Sequence, residues 1–536
     1  MYSLYRTKTS EDAIAKLNVY KDRIPVFIKI TKECTVAILQ KLCDTLSQHQ
    51  SWTIAHMLAH FGLTELFNHP EVQKHIDGID PLTGVTPLMM AVKSCNVRMV
   101  QSLVSLNSSL DMIDHKGNTV FHYAAASKKL NACEIINVLA SKSPTTSKSL
   151  NVYNKQGYTP LLTACLADAP DCVRALMLAG ADVNLTAAKR NTSLLPAIVR
   201  DLVQDNQLKL YQQDMKHGGT PIHWAISREV IEALVDKNCD INALNFDGRT
   251  ALHVMVLRGR LECAIALLSR GAEHSIGDNE GNTPLHLAVK QTNIAIAQAL
   301  VVFGADLEAK NNAGNTARHI LRTEMSNSNY DRILYVLHAV GAKRCIPEVK
   351  GCGPSCSARG DYNGVPPPPV VAASTRDLVS QVLNDPAMKK ATCCDTKQGR
   401  LLCLDGGGIR GLVLVQILIN LEKAVDRPIV ECFDWIAGTS TGGILALALA
   451  SGKSLRDCQR LYFRMKDIAF VGSRPYPSKP LEDILKECFG KKTVMTDIKH
   501  PKLMILAVLA DRNPVDLHIF RNYKSAQEIL AKNNGT

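Results

Sequence analysis

The sequence predicts a multidomain protein in which an all-α repeat solenoid is followed by an α/β domain of hydrolase type. Three observations lead there. Threonines recur at a fixed interval over residues 51–342, proline and glycine interrupt residues 343–398, and from residue 399 two apolar runs each open into a glycine-rich turn. At 536 residues the chain has room for these three parts and an N-terminal segment, residues 1–50.

The repeats come first. Thr53, Thr86, Thr119, Thr159, Thr220, Thr250, Thr283 and Thr316 stand in similar contexts, as in Asn282-Thr283-Pro284-Leu285-His286, and four of the intervals are 33 residues. That is the ankyrin period. A degenerate unit at Asn191-Thr192-Ser193-Leu194-Leu195 fills the long gap after Thr159. Gly117, Gly157, Gly248, Gly281 and Gly314 precede the threonine by two residues, where a tight turn requires positive φ. The histidines three residues after several of the threonines occupy a fixed place in successive helices. They are expected to hydrogen-bond neighbouring turns rather than to converge on a metal. Stacked units of this kind present an extended surface suited to proteins or to another domain of the same chain.

The linker contains Gly351-Cys352-Gly353-Pro354 and Pro366-Pro367-Pro368-Pro369, which disfavour regular structure and read as a stiff spacer. Beyond it, Leu401-Leu402-Cys403-Leu404 reads as a buried strand feeding Asp405-Gly406-Gly407-Gly408-Ile409-Arg410-Gly411. A second apolar run, Cys432 to Ala437, delivers Ser440 to the turn Gly438-Thr439-Ser440-Thr441-Gly442, and a helix follows from Gly443. Strand, sharp turn and helix expose a nucleophile above a sheet. Gly438 and Gly442 are needed because side chains there would collide in so tight a turn. Gly406, Gly407 and Gly408 offer backbone N–H groups to a developing oxyanion, each such donor worth roughly 3–4 kcal/mol. Gly406, Gly408 and Gly411 also satisfy a dinucleotide-binding spacing, but the acidic strand that should follow is missing.

Taken together, the two motifs resemble those of the patatin-like phospholipases, and behind an ankyrin array they resemble the ankyrin-containing calcium-independent phospholipases A2. The resemblance implies an α/β fold in which Ser440 works with a single aspartate from a later Asp-Gly dipeptide. Between Thr441 and Thr536 every aspartate precedes Cys, Ile, Arg or Leu, so the partner aspartate is expected to be absent and the domain to be its N-terminal part only. His500 and His518 are the alternatives for a base and read as surface or loop histidines. Further implications are hydrolysis of the sn-2 ester of glycerophospholipids, lysophospholipase and thioesterase side activities, homo-oligomers, and calmodulin binding in a longer form. Arg410 is expected to steady the loop or a phosphate. A rival reading is a catalytically incomplete ankyrin binding protein that modulates an intact phospholipase.

Composition is consistent with a cytoplasmic, peripherally membrane-associated protein without metal or cofactor. No run approaches the roughly 18 to 20 apolar residues that span a bilayer, and residues 1–8 lack the apolar core of a secretory signal. Seventeen cysteines without a framework spacing read as reduced thiols, and Cys352, Cys356, Cys393 and Cys394 lack zinc-site partners. The net charge is +12, and from Arg400 onward 20 Lys/Arg stand against 14 Asp/Glu. Lys453, Arg456, Arg460 and Arg464 repeat at helical spacing, which reads as a solvated face with anionic lipid as the alternative. Nucleic acid is a poorer explanation of the charge, because no aromatic-rich basic motif accompanies it, and no nucleic-acid partner is expected.

Overall fold

The computed structural model describes residues 48–129, 131–142, 149–187, 218–321, 328–343, 399–469, 477–509 and 516–524, with a few isolated positions before residue 48. The unit expected around Thr192 and the linker at 344–398 lie outside the described residues. Contacts divide the chain into two compact units, the second of which takes in parts of the last repeats.

In the repeats, all eight threonines are N-caps. Each sits in extended backbone immediately before a short helix: Ile54–Phe61, Pro87–Ser94, Val120–Ala125, Pro160–Leu166, Pro221–Trp224, Ala251–Leu257, Pro284–Lys290 and Ala317–Ile320. The hydroxyls of Thr86, Thr159, Thr250 and Thr316 accept the N–H three residues on, satisfying a donor that has no partner inside the helix. Proline at the first helical position of four of these helices costs nothing, because its missing N–H would be unpaired there. A second helix follows each, such as Val97–Ser105, Pro170–Leu178 and Arg228–Val235. Thr250→Ala is expected to cost about 1–2 kcal/mol in urea unfolding, and a loss of only a few tenths would deny the cap its role.

The histidines act as the threonines' counterparts. The backbone N–H groups of Thr53, Thr119, Thr220, Thr250 and Thr283 donate to Nδ1 of His56, His122, His223, His253 and His286 at 3.1–3.3 Å. Nδ1 therefore carries no proton, and Nε2–H donates onward to the carbonyls of Val85, Tyr158, Arg249, Asn282 and Asn315 at 2.9–3.0 Å. Each acceptor immediately precedes the cap threonine of a following repeat, so one imidazole closes its own helix and ties it to the next. Between repeats, the backbone also stacks: the N–H groups of Asn279 and Asn312 donate to the carbonyls of Asp247 and Glu280 at 3.0 Å. Gly281, at φ +74°, lies where a Cβ would come within 2.7 Å of the Asn312 nitrogen.

The second unit contains a four-stranded sheet in the order β1 (Leu401–Leu404), β2 (Trp435–Thr439), β3 (Lys502–Leu509) and β4 (Asp516–Arg521). The first three strands are parallel, and β4 pairs antiparallel with β3. The edge of β3 away from β2 is thus covered by β4. Helices α1 (Gly411–Val425), α2 (Ser440–Ala450), α3 (Leu455–Ile468) and α4 (Ser478–Phe489) complete the unit. Its core forms on the sheet face shared by Leu404, Ile436 and Leu503, packed with Val415, Leu418, Leu445, Leu449 and Tyr462. On the opposite face Leu401, Leu506, Val508, Leu517 and Ile519 are exposed. Among the described residues no helix is long and apolar enough to cross a membrane.

Candidate active site

Ser440 stands at the junction of β2 and α2 with φ +52°, a left-handed backbone conformation that a non-glycine residue adopts only when its surroundings impose it. Those surroundings are close. A Cβ on Gly438 would lie 2.5 Å from the Gly442 oxygen and 2.8 Å from Gly443 Cα, so the chain doubles back on itself across the serine. A Cβ on Gly442 would lie 2.3 Å and 2.4 Å from the carbonyl oxygens of Leu404 and Asp405, which belong to the end of β1 and the start of the glycine loop. The nucleophile turn and the glycine loop are therefore pressed together, backbone on backbone. Ser440 itself is exposed at the N-terminus of α2, where the helix presents the positive end of its dipole.

The glycine loop folds over the serine. Gly406 approaches so closely that its Cβ would fall 2.5 Å from Ser440 Cβ and 3.2 Å from Oγ. Its own N–H donates to Asp405 Oδ1 at 2.7 Å, and the Gly407 N–H donates to Thr441 Oγ1 at 3.3 Å. Gly408, at φ +60°, opens the 3-10 turn Gly408–Arg410, and its N–H has no protein acceptor among the described residues. Of the three expected oxyanion donors, one is therefore unengaged and two hold the loop. Arg410 is exposed and curls back over the loop, with Nε 3.5 Å from where a Gly407 Cβ would stand, and its guanidinium has no acidic partner among the described residues. Gly411 starts α1 against the ring of Tyr462.

No carboxylate or imidazole among the described residues hydrogen-bonds to Ser440 Oγ. Asp405 is occupied by Gly406, and His518 lies on β4, opposite Ala507 and against the Phe520 ring at 4.6 Å. The basic series on α3 is engaged in local pairs: Arg456 with Gln459 at 3.0 Å, Arg460 with Asp457 at 3.2 Å and Arg464 with Glu487 at 2.6 Å. Arg456 also donates to the carbonyl of Val302 at 2.9 Å, and Arg456, Arg460 and Arg464 are half-buried, so the series is neither an open solvated face nor a free lipid-facing stripe. Two residues at the site carried no motif signal, Thr441 as an acceptor and Tyr462 as a contact. Only the spacing of Tyr462 with Leu455, Cys458, Leu461 and Met465 along one apolar stripe hints at it in sequence.

Models of known families match both parts of the chain. Ankyrin repeats match residues 31–148, 109–187, 185–278 and 228–311, and a patatin-like phospholipase domain matches residues 402–533. The 85/88 kDa calcium-independent phospholipase A2 of Mus musculus is 34% identical over 98% of this chain and 67% of its own length; that of Rattus norvegicus is 35% identical with the same coverage. An intracellular phospholipase A2 of Caenorhabditis elegans is 30% identical over 83% of this chain and 43% of its own.

Proposed function

The chain belongs to the ankyrin-repeat calcium-independent phospholipases A2, within the patatin-like phospholipases, and we propose that it hydrolyses the sn-2 ester of glycerophospholipids with Ser440 as nucleophile. The observation that carries this reading is the left-handed Ser440 locked between β2 and α2 with the glycine loop against its side chain. Ser440 Oγ attacks the ester carbonyl as its proton passes to a carboxylate. The carbonyl oxygen becomes negative within reach of the Gly408 N–H and the N-terminus of α2. The Gly407 N–H, donating to Thr441 Oγ1, keeps the loop beside the serine, with Gly406 supplying the close approach. Collapse expels the lysophospholipid alkoxide, which recovers the proton, and water then releases the fatty acid from the acyl-serine. Arg410, with no acidic partner among the described residues, suits the substrate phosphate. Single-chain esters and thioesters present the same carbonyl to the same groups, which supports lysophospholipase and thioesterase activity.

The base in this reading is the aspartate of a Ser-Asp dyad, which the resemblance places in an Asp-Gly dipeptide after Ser440 that this sequence does not contain. The setting is cytoplasmic and peripheral to membranes, with the ankyrin array binding proteins, homo-oligomers forming, and calmodulin engaged by a longer form. That no carboxylate among the described residues hydrogen-bonds to Ser440 favours one alternative: a binding protein that modulates an intact phospholipase. Incubating the full chain with phosphatidylcholine vesicles in EGTA, and separately with a fluorophosphonate probe, tests both. Fatty-acid release and labelling that Ser440→Ala abolishes are expected. Turnover retained in Ser440→Ala overturns the nucleophile, while no turnover together with altered activity of an added intact enzyme selects the alternative.

A further inference from the structure

Tyr462 joins the two halves of the site through three contacts. Its ring fills the space left by Gly411, where a Cβ would come within 2.1 Å of Cε1 and 2.7 Å of the hydroxyl oxygen. Its hydroxyl donates to the carbonyl oxygen of Thr441 at 2.6 Å. Thr441 in turn accepts the Gly407 N–H on Oγ1, across 34 residues of chain. The glycine loop is thus pinned at both ends, at Gly407 by Thr441 and at Gly411 by Tyr462, and both pins meet at the residue that follows the nucleophile.

We propose that Tyr462 is a positioning residue, which through Thr441 and Gly411 holds the loop carrying the oxyanion donors in register with Ser440. Three features suit it to that task. It is fully buried, so its hydroxyl has no water to exchange with. Burial pushes its pKa well up, so it stays protonated and remains a donor. It sits on α3 among Leu455, Cys458, Leu461 and Met465, whose spacing fixes the helix against the core and leaves the phenol little freedom. The Thr441 carbonyl is within the first turn of α2, so a hydrogen bond to it locates the helix start and with it the serine. Sequence motifs place the serine and the glycines; their mutual distance is set by a side chain some twenty residues further on.

The inference rests on the hydrolase reading, and its test separates the two. In the full chain, Tyr462→Phe keeps the ring and removes only the donor. Hydrogen exchange of peptides covering residues 405–411 is expected to quicken by about tenfold, and fluorophosphonate labelling of Ser440 to slow by about tenfold, with unchanged far-UV circular dichroism. On vesicles the loss should fall in kcat with KM retained. Thr441→Val, which cuts the other pin and leaves Tyr462 intact, is expected to quicken the same peptides and serves equally if Tyr462→Phe folds poorly. Loop exchange unchanged in both variants overturns the positioning role. An unlabelled wild-type chain counts against the hydrolase reading alone, since the exchange measurement needs no turnover.

Discussion

Gly442→Ala is expected to abolish labelling of Ser440 and to destabilise the second unit together. The added methyl would stand 2.3 Å from the Leu404 oxygen and 2.4 Å from the Asp405 oxygen, about 1 Å inside ordinary contact with two backbone atoms. Neither can rotate away as a side chain would. Relief requires the end of β1 and the glycine loop to move together, and a misplacement of that size costs on the order of 100-fold in rate. The overpacking itself costs about 1–3 kcal/mol. Ser440→Ala, which removes an oxygen and adds nothing, is expected to lose labelling with its melting temperature unchanged. The pair of variants therefore separates chemistry from geometry. Labelling of Gly442→Ala at the wild-type rate would show that the turn tolerates what the close approach forbids.

The repeat array is expected to lose stability steeply as pH falls from 6.5 towards 4. Burial drives the pKa of His122, His223 and His253 down from 6.5 to about 4, and that of His56 in the same direction. In the unfolded chain these imidazoles take up protons near pH 6.5, while in the fold they stay neutral to about pH 4. The unfolded state therefore binds more protons across that window, and the stability present above pH 6.5 drains away as pH drops through it. Each of the three contributes about 3 kcal/mol, taking 1.36 kcal/mol per pKa unit. The structural cause is visible: a proton on Nδ1 would meet the threonine N–H that now donates to it. Urea unfolding followed by tryptophan fluorescence at pH 7.5, 6 and 5 checks this, since Trp52 and Trp224 are buried in the array. Flat stability over that range would contradict it. His253→Gln should flatten the slope by about a quarter while costing stability at neutral pH.

Much of this architecture is legible because local chemistry and tertiary structure demand the same residues. Threonine before a helix, glycine at a left-handed turn and serine between two glycines each satisfy a need within a few residues of chain, so their spacing survives as a pattern. The period of the threonines gives the stacking, and the two apolar runs give the parallel pair β1 and β2. What escaped has its cause further off. Strand β4 alternates Leu517, Ile519 and Arg521 with His518 and Phe520, leaving both faces partly apolar and no clean alternation to read. Helix α2 begins at Ser440 rather than at Gly443, because the interlocked glycines draw the turn itself into the first helical turn. The His imidazoles read as satisfied hydrogen-bonding groups, but their acceptors, 26 to 36 residues away, emerge only from the stacking. The hold of Tyr462 on Thr441 is a meeting of two helices that no single-sequence spacing encodes.

The contiguity of the site has a consequence for how the molecule is made. Gly406, Gly411, Ser440, Thr441, Gly442 and Tyr462 all fall between residues 406 and 462, and strands β1 and β2 are adjacent partners joined through α1 and the short 3-10 turns on either side of it. A single strand–helix–strand crossover and the helix pair after it bring every one of these groups together, so closing the site requires only short loops and little chain entropy. During synthesis this segment leaves the ribosome as one piece after the repeats. The serine, its glycines and Tyr462 are thus all translated before β3 and β4, which pair beside β2 and supply Leu503 and Ile505 to the core behind the serine helix.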